Sequence, residues 1–137
     1  MKTKSFPGNY QNLEAISNFI VDQAQEADFS SHEIYAIQTA VDEACSNVID
    51  HAYQGENKGL INICVEIINN GMKIIIQDDG IPFDPEDVPE PDITSPLEIR
   101  KERGLGIFFM RKLMDEVRFD FSQTIGNTLT LVKYRGG

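Results

Sequence analysis

Leu60-Ile61-Asn62-Ile63-Cys64-Val65-Glu66-Ile67-Ile68, then Asn69-Asn70-Gly71, then Met72-Lys73-Ile74-Ile75-Ile76-Gln77, is the stretch that decides the fold. β-Branched residues alternate at Ile61, Ile63, Val65 and Ile67, the period of a strand with one buried face. Asn69-Asn70-Gly71 predicts a tight hairpin turn of type I′, whose positive φ angles Asn and Gly tolerate. Met72–Gln77 is the return strand. A hairpin with one apolar face needs a layer to cover it, and the flanking segments supply candidates.

Upstream, a short extended piece near Thr3–Phe6 stops at Pro7-Gly8, a turn signal. From Asn12 to about Ala27, Leu13, Ile16, Phe19, Ile20 and Ala24 recur at helical spacing. Ser30-x-x-Glu33 reads as a capping box opening a second helix that runs to about Ala52, with Gly55 after its end. Downstream, Ile81 to Lys101 holds Pro82, Pro85, Pro89, Pro91 and Pro96 and no sustained period, the pattern of a binding loop or lid. A third helix is expected after Gly104-Leu105-Gly106, through about Glu116, carrying Ile107, Met110, Leu113 and Met114. Val117–Ser122 and Thr128–Tyr134 read as a second hairpin around Ile125-Gly126-Asn127. Helix, helix, hairpin, loop, helix, hairpin describes an α+β two-layer sandwich. Its antiparallel or mixed sheet is covered on one face by about three helices, in a single domain over residues 1–137.

Composition narrows the function. With 41% hydrophobic and 25% charged residues the chain reads as a soluble globular domain. A net charge of −10 argues against direct nucleic-acid binding, which needs a basic face. No apolar run is long enough to cross a membrane and no secretory h-region opens the sequence. Cys45 and Cys64 match no metal or redox spacing and read as reduced core or near-core residues of a cytoplasmic protein. Charge is uneven. Seven acidic residues lie between Asp78 and Asp92, and five basic ones between Arg100 and Lys112. Those basic residues are either a solvated segment or a local positive field where a triphosphate could sit.

Three short elements carry chemistry. On the second helix Ile34, Ile37, Val41, Ala44 and Val48 form the core stripe, and Glu43 and Asn47 share its shoulder at i,i+4. A carboxylate and an amide there suit proton and metal chemistry, though a solvated helix face carries the same pair. Asp78-Asp79-Gly80-Ile81-Pro82-Phe83 follows an apolar strand. A carboxylate at a strand's end can accept from an exocyclic amine, and Gly80 permits close backbone approach; a strand-ending acidic turn is the plainer alternative. Arg103-Gly104-Leu105-Gly106 opens a helix whose N–H groups and missing Cβ atoms suit phosphate, or forms a simple loop-to-helix junction.

Taken together, these elements resemble the GHKL (Bergerat-fold) ATPases, most closely the bacterial anti-sigma-factor serine kinases of RsbW type. The resemblance rests on Val41-Asp42-Glu43-Ala44-Cys45-Ser46-Asn47 through His51-Ala52-Tyr53, on Asp78-x-Gly80 with Pro82-Phe83-Asp84-Pro85, and on Arg103-Gly104-Leu105-Gly106 with Leu113-Met114-Asp115-Glu116-Val117. It implies ATP and Mg²⁺ as cofactors. Glu43 would be the general base and Asn47 would hold Mg²⁺. Asp78 would take the adenine amine with Gly80 beneath the base, and Thr128 would reach the adenine side. Gly104, Leu105 and Gly106 would face the phosphates, with Arg103 on the γ-phosphate and residues 84–102 as the ATP lid. His51, one turn beyond Asn47, is read as structural or capping. Two departures stand out: Pro82 replaces the second glycine of the D-x-G-x-G pattern, and the short N-terminus leaves little of the edge strand used in dimer contacts.

The implied function is phosphorylation of an anti-anti-sigma (STAS-domain) protein on serine, extending to sequestration of a sigma factor and to a homodimer. The alternative is a non-catalytic, ATP-binding partner switch; Glu43 favours the enzyme, since a switch has no need of a base. A lid over residues 84–102, acidic at its start and basic at its end, is expected to close on a triphosphate. Limited proteolysis should therefore cut this segment in the free protein and be slowed there by Mg²⁺–ATP, with equal cleavage in both states counting against closure.

Overall fold

The computed structural model describes residues 1–82, 110–122 and 126–136. Five strands form one sheet: β1 (Lys2–Pro7), β2 (Leu60–Ile68), β3 (Gly71–Asp78), β4 (Glu116–Ser122) and β5 (Gly126–Tyr134), in the order β1-β2-β3-β5-β4. Every neighbouring pair is antiparallel. Two helices, α1 (Leu13–Glu26) and α2 (Ser31–Asn47), pack on one face, and residues 110–113 are helical. This is the two-layer architecture that the patterning predicts.

The helices follow from their caps. Asn9 accepts from Asn12 N at 3.0 Å and starts a 3₁₀ turn, Tyr10–Asn12, that leads into α1. α1 ends in a Schellman motif: Phe29 N bonds Ala24 O at 3.2 Å and Asp28 N bonds Gln25 O at 3.1 Å. Asp28 takes the left-handed position at φ 63°, where aspartate is one of the few tolerated non-glycine residues. The capping box opening α2 is present, with Glu33 N to Ser30 Oγ at 3.2 Å and Ser30 N to Glu33 Oε1 at 2.8 Å. Gly136 N donates to the other Glu33 oxygen at 2.8 Å, so the chain's end is fastened to the first turn of α2. The Ser30 and Gly136 N–H groups hold the Glu33 carboxyl below its ordinary range.

α2 does not simply stop. After Asn47 the coil widens into a π-helical turn, Val48–Ala52, in which Tyr53 N reaches Val48 O at 2.9 Å. Gly55 N then bonds Ile49 O at 2.9 Å. The core lies between the two layers. Ile61, Ile63 and Val65 of β2, Met72, Ile74 and Ile76 of β3, and Leu129 and Leu131 of β5 pack with Ile16, Ile20, Ile37, Val41 and Ile49 of the helical layer. Cys45 is buried and Cys64 half-buried, both free thiols.

Four local expectations need correction. The β2–β3 hairpin stands where predicted, with Ile68 paired to Gly71, yet none of Asn69, Asn70 and Gly71 adopts a positive φ, so the turn is not type I′. The turn is held from outside: Arg135 N bonds Asn70 O at 2.8 Å and Arg135 Nη2 bonds Asn69 O at 3.1 Å. Gly71 is needed for space, since a Cβ there would lie 2.0 Å from the Lys133 carbonyl oxygen of β5. Second, the helix expected through Glu116 ends earlier: residues 114–115 bend and Glu116 begins β4. Asp115 N bonds Val132 O at 2.9 Å, so pairing with β5 overrides helix continuation. Third, Gly126 and Asn127 belong to β5 rather than to a turn, which leaves the 123–125 part of that turn outside the described residues. Fourth, the N-terminus supplies a full edge strand, paired from Lys2↔Val65 to Pro7↔Leu60.

Replacing Gly71 by Ala should lower unfolding stability by about 1–3 kcal/mol, the range for overpacking, because a main-chain carbonyl has little room to retreat. Urea titration of Gly71→Ala checks this; an unchanged midpoint would mean that β5 yields without strain.

Candidate functional site

Along β3, Met72, Ile74 and Ile76 face the helices, and Asp78 occupies the next position on that same face. Along β5, Leu131 and Leu129 face inward and Asn127 continues their row. The register sets Asp78 directly opposite Asn127. Two polar side chains therefore end the apolar face of the two central strands, and both are buried, at 6% and 8% exposure. Buried polar groups need partners. Asn127 Nδ2 donates to Asp78 Oδ1 at 2.7 Å, and Gly80 N donates to the same oxygen at 2.9 Å. Burial still pushes the Asp78 carboxyl above its ordinary value, with Asn127 and Gly80 opposing the shift and Asp79 adding to it.

A pocket with about 400 Å³ of empty space, partly open to solvent, lies between these strand ends and the last turns of α2. Ala44, Ile76, Met110 and Leu129 give it apolar walls, while Asn47, Asp78 and Asn127 are its polar points. Apolar walls with a few fixed polar groups suit a flat, edge-functionalised ligand such as a purine base. Asn47 and Asp78, 31 positions apart in sequence by their numbers, line one cavity. Thr128 borders it too, but its strand partner is Gln77, and the β5 side chain that reaches Asp78 is that of Asn127. Glu43 stands half-buried one helical turn before Asn47, outside the pocket lining. His51 is exposed in the π-helical turn. Arg103, Gly104, Leu105 and Gly106, and the lid expected over 84–102, lie outside the described residues.

Gly80 has a packing duty that its sequence context conceals. A Cβ there would sit 2.5 Å from the Ala52 carbonyl oxygen, and Ile81 N donates to that oxygen at 2.7 Å. The segment after Asp78 is thus pressed against the end of α2, which ties the carboxylate to the helix bearing Asn47. Tyr53 adds a second tie. Its hydroxyl lies 2.5 Å from Leu60 O and 2.8 Å from Asp79 Oδ1, able to donate to one at a time, and accepts from Asp79 N at 3.3 Å. Burial, with the neighbouring aspartates, pushes the Tyr53 phenol up to about 12. Asp79 is thereby held at the exposed side, leaving Asp78 as the aspartate of the pocket. Asn127 and Tyr53 were not singled out for the site from the sequence, because only strand register and the helix end bring them to Asp78 and Asp79.

The donor set fits a Mg²⁺–nucleotide. Asn47 Nδ2 is buried with no hydrogen-bond partner among the described residues. An amide in that state can give its oxygen to a cation and its N–H to a phosphate oxygen.

The chain belongs to the histidine kinase-like ATPase domain family, whose pattern matches residues 6–133. The fold alone is shared with the catalytic domain of histidine kinase ThkA, at TM-score 0.57 and 15% identity over 98% of this chain and 99% of that one. It is also shared with the RsbU and RsbW domains of a Mycobacterium tuberculosis protein, at TM-score 0.63 and 13% identity. That match covers 98% of this chain, which spans 32% of the larger one. Within the family, curated relatives narrow the class to the RsbW serine-protein kinases. The chain is 31% identical to "Serine-protein kinase RsbW" of Bacillus thuringiensis over 93% of its own length and 81% of the relative's. It is 30% identical to the RsbW of Bacillus velezensis, over 83% and 72%. Among the described residues no helix is long and apolar enough to cross a membrane.

Because the Asp78 pKa is raised on folding, the native state holds its proton more tightly than the unfolded chain between the ordinary value of 3.8 and the raised one. Stability therefore falls as pH rises through that window, and the full penalty is present above it. Asp78→Asn should raise the melting temperature of the nucleotide-free protein near neutral pH, with the gain fading as pH drops below the ordinary carboxylate value. A variant that is less stable at neutral pH would mean that the carboxylate is stabilising in place.

Proposed function

We propose that this pocket binds Mg²⁺–ATP and that the chain phosphorylates an anti-anti-sigma (STAS-domain) protein on serine, and sequesters a sigma factor, in the cytoplasm. The observation that carries the reading is the buried, oriented Asp78 carboxylate across one apolar pocket from the incompletely bonded Asn47 amide. The RsbW relatives support the kinase assignment.

Each residue has a separable task. Asp78 accepts from the exocyclic amine of adenine, and the apolar walls take the faces of the base. Asn47 would hold Mg²⁺ through its side-chain oxygen, and the ion would supply neutralisation of phosphate charge. The serine oxygen of the partner attacks the γ-phosphorus, an O–P bond forms, the bridging β–γ bond breaks, and ADP leaves. Glu43 takes the hydroxyl proton. Its position a turn before Asn47 and outside the pocket lining supports a task at the phosphate end of the nucleotide. Arg103 and Gly104 to Gly106 are proposed for the phosphates on sequence grounds.

Incubation with γ-labelled ATP and STAS-domain proteins of the same organism should label one of them on serine. Glu43→Gln should keep ATP affinity and lose phosphoryl transfer by roughly 10²–10⁴-fold, the usual effect of removing a general base. Asp78→Asn should instead weaken ATP binding itself, by an amount near the ~1.5–3 kcal/mol of a charge-assisted hydrogen bond. Binding without transfer in the unmodified protein, with every candidate partner, would turn the reading toward a non-catalytic switch.

A further inference from the structure

Asn127 is held by more bonds than a strand residue needs. Its Nδ2 donates to Asp78 Oδ1 at 2.7 Å and to Gly80 O at 3.1 Å, with Ile81 O at 3.5 Å. Three acceptors around one nitrogen settle which way the amide faces. Turned over, its oxygen would meet a carboxylate and two carbonyls, all acceptors. In the observed orientation Oδ1 is buried and has no donor among the described residues. Among the described residues the donors to the Asp78 carboxylate are Asn127 and Gly80, and both load its Oδ1. Oδ2 is the oxygen that neither of them engages.

We infer that Asn127 is a specificity-determining positioning residue, clamping Asp78 Oδ1 to the Gly80–Ile81 backbone so that Oδ2 faces the pocket as a fixed acceptor selecting 6-aminopurine over 6-oxopurine nucleotides. This rests on the nucleotide reading above and adds the chemistry by which the base is chosen. A 6-amino group brings N–H donors to Asp78 Oδ2, which as a carboxylate oxygen only accepts. A 6-oxo group sets an acceptor against that oxygen, and the N1–H of the same base, one ring position away, reaches it only if the base shifts in the pocket. The distinction holds only while the carboxylate neither rotates nor takes a proton, because a protonated carboxyl can donate to an oxo group. The Asn127 N–H opposes both: it fixes the rotamer, and it is the strongest influence favouring the charged form against burial.

Affinities for ATP and ITP, with Mg²⁺ near neutral pH, measured by calorimetry on the full chain and on Asn127→Ala and Asn127→Asp, test this. Thermal unfolding of each variant controls for folding. The unmodified protein should favour ATP, and each variant should lose about tenfold or more of the ATP-to-ITP ratio by weakening ATP while ITP stays level. Asn127→Asp keeps the shape of the side chain and exchanges donor for acceptor, so it reports even where the alanine variant fails to fold. Parallel loss of both nucleotides would make Asn127 a structural residue and overturn the inference, as would equal ATP and ITP affinity in the unmodified protein. Binding of neither nucleotide by the unmodified protein would overturn the nucleotide reading itself and this inference with it.

Discussion

The antiparallel pairing of β3 with β5 is the constraint on which the rest of the structure depends. It runs from Gly71↔Tyr134 to Asp78↔Asn127 and joins the two halves of the chain at the centre of the sheet. A slip of one residue would turn every inward side chain of β5 to the other face. Leu129 and Leu131 would leave the core, and Asp78 would lose the amide opposite it. The glycines at both ends of this pairing make the approach possible. A Cβ at Gly71 would strike Lys133, and one at Gly126, which adopts φ 97°, would lie 2.3 Å from the Asp78 carbonyl oxygen.

From that pairing the site follows by short steps. β3 ends in an inward carboxylate. The next residues are pressed onto the Ala52 carbonyl at the end of α2, and the π-helical turn gives the chain a wider exit there than an α-helical end would. Asp78 and Asn47 are thus carried on two elements whose contact is main chain to main chain. Tyr53 braces the same junction from below, its ring filling the space that Gly59 leaves, where a Cβ would lie 2.5 Å from the ring. A carboxylate is buried beyond what its two donors offset, and two amides each hide one polar atom without a partner among the described residues. A core tuned only for stability would not carry them.

The ends of the chain close the fold. Arg135 donates to Ala27 O at 3.0 Å and to the β2–β3 turn, and Gly136 reaches Glu33, so the segment after β5 binds the α1–α2 junction and the far hairpin together. At the opposite edge β1 presents Lys2 and Lys4, and at the other β4 presents Glu116, Arg118 and Asp120. Charged edge strands of this kind resist indiscriminate strand pairing.

Periodicity and local chemistry are properties of neighbours in sequence, and what depends on them was legible there. The two helices, the capping box at Ser30 and Glu33, the first hairpin and the sandwich class all rest on spacings of a few residues, as does the placement of Glu43 and Asn47 on one helical shoulder. Asp78 at a strand's end could be picked out for the same reason. Tertiary structure alone decided what depends on distant backbone. It gave the Asn69-Asn70 turn its conformation, because Arg135 binds its carbonyls. It ended the helical segment before Glu116, because β5 claims the backbone there. It assigned Gly80 to the helix end, and it made Asn127 the partner of Asp78 across 49 positions. Register is set by the summed burial of whole strands, and no short stretch of sequence contains that sum.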